Sequence, residues 1–197
     1  MYRHNWSILN ELAGKAVHLV IILALLFYVV IKQQYSQTSA LIFLVALLLI
    51  FLVLEYLRLD LNLKMPLYSL FIKPKEETRL SGAIYFLSAT IICLAVFDFN
   101  IAIAALLMVI IGDAVAAMAG KRYGKTLLYR NKTAIGALAE LIINLAIALI
   151  ILRSTSIYVI LATAFTATIV ETLADEVDDN LLVPLFASFV GQMISYL

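Results

Sequence analysis

Charge is what this chain has least of. Only 14% of its 197 residues are Asp, Glu, Lys or Arg, while 64% are hydrophobic and the mean hydropathy is +1.05. A soluble domain carries about 25% charged residues, so the polar surface needed to cover a water-soluble globule is missing. Cysteine is nearly absent as well. Cys93 alone, inside an apolar run, excludes an intramolecular disulfide framework and reads as a small buried apolar residue. No small-residue cleavage site follows the first apolar run, 13–31, so that run is expected to span rather than to be a cleaved signal. There is no low-complexity tract, internal repeat or second domain, and residues 1–197 read as a single transmembrane domain.

What the chain has is apolar runs of about the length that crosses a hydrocarbon core. The expected fold is all-α, a polytopic membrane bundle of about seven helices at 13–31, 39–57, 80–97, 101–119, 133–152, 156–173 and 181–197. Pro184 falls in the opening turn of the last run, where a missing N–H is tolerated. The positive-inside rule orients the bundle. With a cytoplasmic N-terminus, twelve of the fourteen Lys and Arg are cytoplasmic: Arg3, Lys15, Arg58, Lys64, Lys73, Lys75, Arg79, Lys121, Arg122, Lys125, Arg130 and Lys132. Lys32 and Arg153 fall outside. The cytoplasmic loops are then 58–79, 120–132 and 174–180, and the stretch 65–72 in the first is expected at the interface.

Ionisable groups inside a membrane are costly and usually face a partner or a cavity. Here Glu55, Asp113, Glu140 and Glu171 lie inside expected spans and His18 near the start of the first, all in the cytoplasmic halves. Glu55 reads equally well as a snorkelling carboxylate and His18 as a satisfied neighbour. Gly112, Asp113, Ala116, Ala117 and Gly120 crowd one helix side at spacings of three and four, which makes a small-residue packing seam with an acid on it. Glu140 and Asn144, four apart, form a second polar stripe.

Two loops carry the remaining chemistry. GKRYGKTLLYRNK holds Lys121, Arg122, Lys125, Arg130 and Lys132 and no acid, with Gly120 and Gly124 beside them. Cations and close backbone suit a polyphosphate; topology alone, or anionic lipid head groups, would also account for the charge. The loop is no Walker A motif, because Ala119 stands where the first glycine would fall and a membrane helix, not a strand, precedes it. ETLADEVDDNLLVP is acidic: Glu171 and Asp175 share a face, and Glu176, Asp178 and Asp179 follow. Asn180 is either part of this cluster or the cap of the last helix. Acids beside a basic loop are what a magnesium–nucleotide site requires.

The runs GDAVAAMAGKRYGKTLLYRNKTAIGA and VETLADEVDDNLLVPL resemble the CTP-dependent lipid kinase family of dolichol kinase, phytol kinase and the yeast-type diacylglycerol kinase. The likeness rests on Gly112, Asp113, Ala114, Ala116, Gly120, Gly124 and Lys125, then on Lys132, Thr133 and Gly136, then on Glu171, Asp179, Asn180 and Pro184. Glu11, Lys15 and His18 match the family's opening segment. Ile135 stands where the family has glutamate, and Gly14 where it has arginine; Glu140, about one turn further on, is placed to compensate for the first. The resemblance implies transfer of the γ-phosphoryl of CTP to a membrane lipid alcohol, with Mg2+. On that reading Gly120, Lys121, Arg122, Gly124, Lys125, Lys132, Thr133 and Asn180 hold the nucleotide. Glu171, Asp178 and Asp179 hold the metal, and Asp113, with Glu140, orients the hydroxyl. The partners are CTP, the lipid alcohol and membrane lipid. A cytidylyltransferase acting on a lipid phosphate would use the same residue types. A transporter or proton relay would use the intramembrane acids, but they stop halfway: the outer half offers only Asp98.

Overall fold

A chain that leaves water must satisfy its backbone N–H and C=O groups internally, and a run of Leu, Ile, Val and Ala does so as a helix. The computed structural model describes residues 19–61, 63, 68, 72, 76–129, 132–174 and 177–197. Among them are seven helices: α1 (Leu19–Gln34), α2 (Gln37–Leu59), α3 (Gly82–Val96), α4 (Phe99–Tyr123), α5 (Ala134–Ile151), α6 (Ile157–Leu173) and α7 (Asp179–Ser195). Three of these, α2, α4 and α5, are long and apolar enough to cross a membrane, while α1, α3 and α6 are shorter apolar helices. The readings placed on Glu11, Lys15, His18, Arg130, Asp175, Glu176 and most of 65–72 lie outside the described residues.

The distribution of side chains is that of an α-helical membrane protein. Leu138, Ile142, Leu149 and Ile150 of α5 point outward, while Glu140 and Asn144 of the same helix are buried. In α6, Phe165 and Ile169 are outside and Thr163, Thr168 and Glu171 inside. Water would favour the reverse arrangement; hydrocarbon favours this one.

The chain forms two compact units, Met1–Ile91 and Ile92–Leu197. In the first, Ser36 caps α2 by accepting from the Ser39 N–H at 3.1 Å. The short link from α1 lets Phe27 and Phe43 meet with ring centroids 6.0 Å apart. At the far end of α2, Glu55 is fully buried but well satisfied. It accepts from Arg58 Nε and Nη2 at 2.9 and 2.8 Å, from the Tyr68 hydroxyl at 2.9 Å and from the Ser81 N–H at 2.6 Å. Arg58 donates onward to the carbonyls of Glu76, Glu77 and Arg79. Burial, opposed by the Ser81 hydrogen bond and reinforced by Glu55, raises the Tyr68 phenol above its ordinary range, so it remains a donor. Glu55 thus anchors the 58–81 connection.

In the second unit α4, α5, α6 and α7 each pack on the next, and α7 returns to α4. Small residues such as Ala102, Ala105, Ala164, Ala167 and Ala187 fill the interior and allow close helix approach. Cys93 is buried as expected, and the Ser188 hydroxyl donates to its sulfur at 3.6 Å. At one end Gln192 clips Asp98 twice: its Oε1 accepts from the Asp98 N–H at 2.8 Å and its Nε2 donates to Asp98 Oδ2 at 2.9 Å. The opposite end carries the 120–133 and 172–180 connections.

Two local expectations change. The 120–132 segment is not simply a loop: α4 runs on to Tyr123, and β1 (Leu127–Tyr129) then pairs antiparallel with β2 (Lys132–Thr133). The last helix starts at Asp179 with Asp178 as its cap, so Pro184 lies inside the helix rather than in its first turn. Its missing N–H removes the usual i→i−4 donor to Asn180.

Candidate functional site

The site grows from the crossing of α4 and α5. Met108–Gly112 is a π-helical turn, a device often found at functional sites because the extra residue re-aims the side chains of the next turn. Asp113, Ala116, Ala117 and Gly120 come next, on the face turned toward α5. Thr133 caps α5 by accepting from the Gly136 N–H at 3.1 Å. The two helices then come close at glycine. A Cβ on Gly136 would stand 3.0 Å from the Ala116 carbonyl oxygen, and Gly120 Cα lies 3.6 Å from that same point.

Beside this crossing is a cavity of about 370 Å3. Asp113, Ala116, Ala117, Gly120 and Lys121 of α4 line it, with Lys132 and Thr133 of β2, Gly136, Ala137 and Glu140 of α5, and Thr172 of α6. Its chemistry is layered. Lys121, Lys132 and Thr133 stand at the helix-end mouth, Gly120, Gly136 and the alanines form a middle band, and Asp113 and Glu140 form the floor. Asp113 precedes Lys121 by eight residues and Glu140 follows Thr133 by seven. Each acid is therefore about 10 Å of helix rise below the mouth.

Lys132 joins the two connections of this end. Its ammonium forms an ion pair with Glu171, which is buried at 2% exposure. Burial would lower the Lys132 ammonium, but Glu171, Asp179 and Asp113 together hold it above its ordinary 10.5. The charge is therefore retained through the neutral range, and its contribution is lost only as the pH rises past that value. Asp179 and Asp113 thus act on the same cation as Glu171. Beneath the floor, Asn144 donates to Glu140 Oε1 at 3.4 Å and to Thr168 Oγ1 at 3.1 Å. Its Oδ1 makes no hydrogen bond and rests against Gly112, where a Cβ would come within 2.7 Å of it.

The structure therefore brings together Asp113, Glu140, Gly120, Lys121, Lys132 and Thr133, and attaches Glu171 through Lys132. It leaves others apart from the cavity lining. Arg122 and Lys125 are exposed, with the Arg122 guanidinium 5.6 Å from the Tyr123 ring centroid. Gly124 ends α4, donating its N–H to the Gly120 carbonyl at 2.9 Å, with φ of −72°. Asp178 accepts from both the backbone and side-chain nitrogen of Asn180, at 3.1 and 2.6 Å, so this pair serves the start of α7. Thr172 and Thr168 join the site although no motif marks them. The signal that could have found them is spacing: with Glu171 they make a polar stripe at three and four residues on α6.

Among the described residues no group of three or more His, Cys, Asp or Glu is placed to cage a metal ion. One or two carboxylates beside a lysine mouth suit magnesium that arrives with a polyphosphate, which needs few protein ligands.

The crossing itself is testable. Gly136→Leu will push its side chain into Ala116 and Thr133 and lower stability in detergent by about 1–3 kcal/mol. An unaltered melting temperature would show that the helices do not approach here. No protein-family model, no characterised protein and no solved structure matches this chain.

Proposed function

We propose that this chain is a CTP-dependent lipid-alcohol kinase with its site at the cytoplasmic face of the membrane. The observation that carries the reading is a single cavity lined by two lysines, Lys121 and Lys132, and two acidic residues, Asp113 and Glu140. Lys121, Lys132, Gly120 and Thr133 are suited to hold the triphosphate. Asp113 is placed to orient or deprotonate a hydroxyl arriving at the floor, with Glu140 beside it. Glu171 and Asp179 would hold Mg2+ together with phosphate oxygens, and the ion would neutralise charge on the transferring group. The choice of CTP rests on the resemblance carried by Gly112 to Lys125 and by Lys132 to Pro184.

The nearest rival, a cytidylyltransferase, would use the same residues with a lipid phosphate as nucleophile, and the products distinguish the two. A transporter path is disfavoured because the acids gather at one end of the second unit, while Asp98 at the other is clipped by Gln192.

We read seven spans with a cytoplasmic N-terminus from the twelve-to-two distribution of Lys and Arg. Cys93 is buried, so engineered cysteines report without background. Cysteines at Ser154 and Lys125 will be labelled by an impermeant reagent from opposite sides of sealed vesicles. Labelling of both from one side would overturn the orientation.

The nucleotide site is tested by equilibrium binding of CTP with magnesium to the detergent-purified protein. Lys121→Met will weaken binding about tenfold, the loss of one charge-assisted contact of roughly 1.5 kcal/mol. Unchanged affinity would place the triphosphate elsewhere.

A further inference from the structure

The hairpin beyond the cavity has a surface that the proposed chemistry does not use. Leu127, Leu128 and Tyr129 of β1 are all exposed, at 64, 58 and 41%, and Tyr123 just before them at 59%. Arg122 and Lys125 are exposed in the same segment, which contains no acid. A two-stranded ribbon of this size is marginal in water by itself, and three successive outward apolar side chains would burden it further. The hairpin directly joins α4 and α5, both long and apolar enough to cross a membrane. Its level is therefore that of the head groups.

The geometry points to this hairpin as a docking element for anionic phospholipid. Leu127 and Leu128 enter the acyl boundary, Tyr123 and Tyr129 sit at the interface where such rings are favoured, and Arg122 and Lys125 face phosphate and acidic head groups. Each cation near an anionic leaflet contributes about fivefold in local enrichment. This assigns Arg122 and Lys125 to lipid rather than to nucleotide, in accord with their positions outside the cavity lining, and it does not depend on the kinase reading.

The test uses the full chain with its single tryptophan removed, Trp6→Phe, and a reporter introduced by Leu128→Trp. The protein is placed in nanodiscs of phosphatidylcholine containing acyl-brominated phosphatidylcholine or, at equal mole fraction, acyl-brominated phosphatidylglycerol. Quenching will be at least about twofold stronger from the anionic lipid at low salt, and this preference will vanish in Arg122→Gln/Lys125→Gln. Equal quenching by both lipids in the unmodified pair would overturn the anionic assignment. No quenching by either lipid, with full quenching by aqueous iodide, would show a hairpin standing in water. Lipid quenching lost on co-incorporating a second copy in the same disc would identify a chain-to-chain contact instead, and would equally overturn it.

Discussion

Arg58→Ala will destabilise the protein by about 3–5 kcal/mol, the usual cost of leaving a buried charge without its partner. The reason is the isolation of Glu55, which is 1% exposed and receives two of its four hydrogen bonds from the Arg58 guanidinium. Arg58 also holds the carbonyls of Glu76, Glu77 and Arg79, so its loss will loosen the 58–81 connection as well. Glu55→Gln/Arg58→Met removes both charges and will recover a large part of the stability, because no ion is then left in an apolar setting. Denaturant titration of Glu55→Gln, Arg58→Met and the double variant in mild detergent gives the three differences needed for the cycle. Losses in the two single variants that simply add up in the double variant would mean that the two groups do not act as a pair. Proteolysis between residues 58 and 81 should rise with Arg58→Ala and not with the double variant.

The second large effect is on turnover. Asp113→Asn keeps the size of the side chain and removes its charge at the floor of the cavity. If the carboxylate orients or deprotonates the attacking hydroxyl, kcat will fall by about 10²–10⁴-fold, the range for a positioned acid–base group. CTP affinity will change little, since Lys121, about two turns of α4 beyond Asp113, holds the triphosphate, while Lys132, on which Asp113 also acts, stays paired to Glu171. Loss in kcat with unchanged nucleotide binding is the signature of an interaction made in the transition state. A variant that binds CTP poorly but turns over normally would move Asp113 from the hydroxyl to the nucleotide. Glu140→Gln separates the two floor acids: a loss smaller than that of Asp113→Asn makes Glu140 a supporting group.

The residues reveal some of this directly and conceal the rest for physical reasons. The seam of Asp113, Ala116, Ala117 and Gly120 was legible because helix periodicity is local, and the π-helical turn before it left that spacing intact. Glu140 and Asn144 were legible for the same reason. The Lys132–Glu171 ion pair was not, since 39 residues separate its partners and only the packing of α5 on α6 joins them. Glu55 could not be told from a snorkelling carboxylate, because its partners Tyr68 and Ser81 lie across a connection with no periodic pattern. The start of α7 was ambiguous, with Asp178, Asp179 and Asn180 all good capping residues; the choice of Asp178 moved Pro184 into the helix. The strands at 127–129 and 132–133 are too short to announce themselves by alternation. Composition, by contrast, foretold the outward apolar faces and inward polar ones.

The fate of a γ-labelled phosphoryl group decides whether this chain is a lipid-alcohol kinase. The purified chain in nanodiscs, with Mg2+ and CTP labelled at the γ-phosphorus, is offered lipid alcohols and lipid phosphates of several chain types. With an alcohol acceptor the label will appear in a lipid phosphate and CDP will be released, both at least about 100-fold more slowly with Asp113→Asn. Pyrophosphate and a CDP-lipid formed from a lipid phosphate, with no CDP from any alcohol, would contradict the kinase reading.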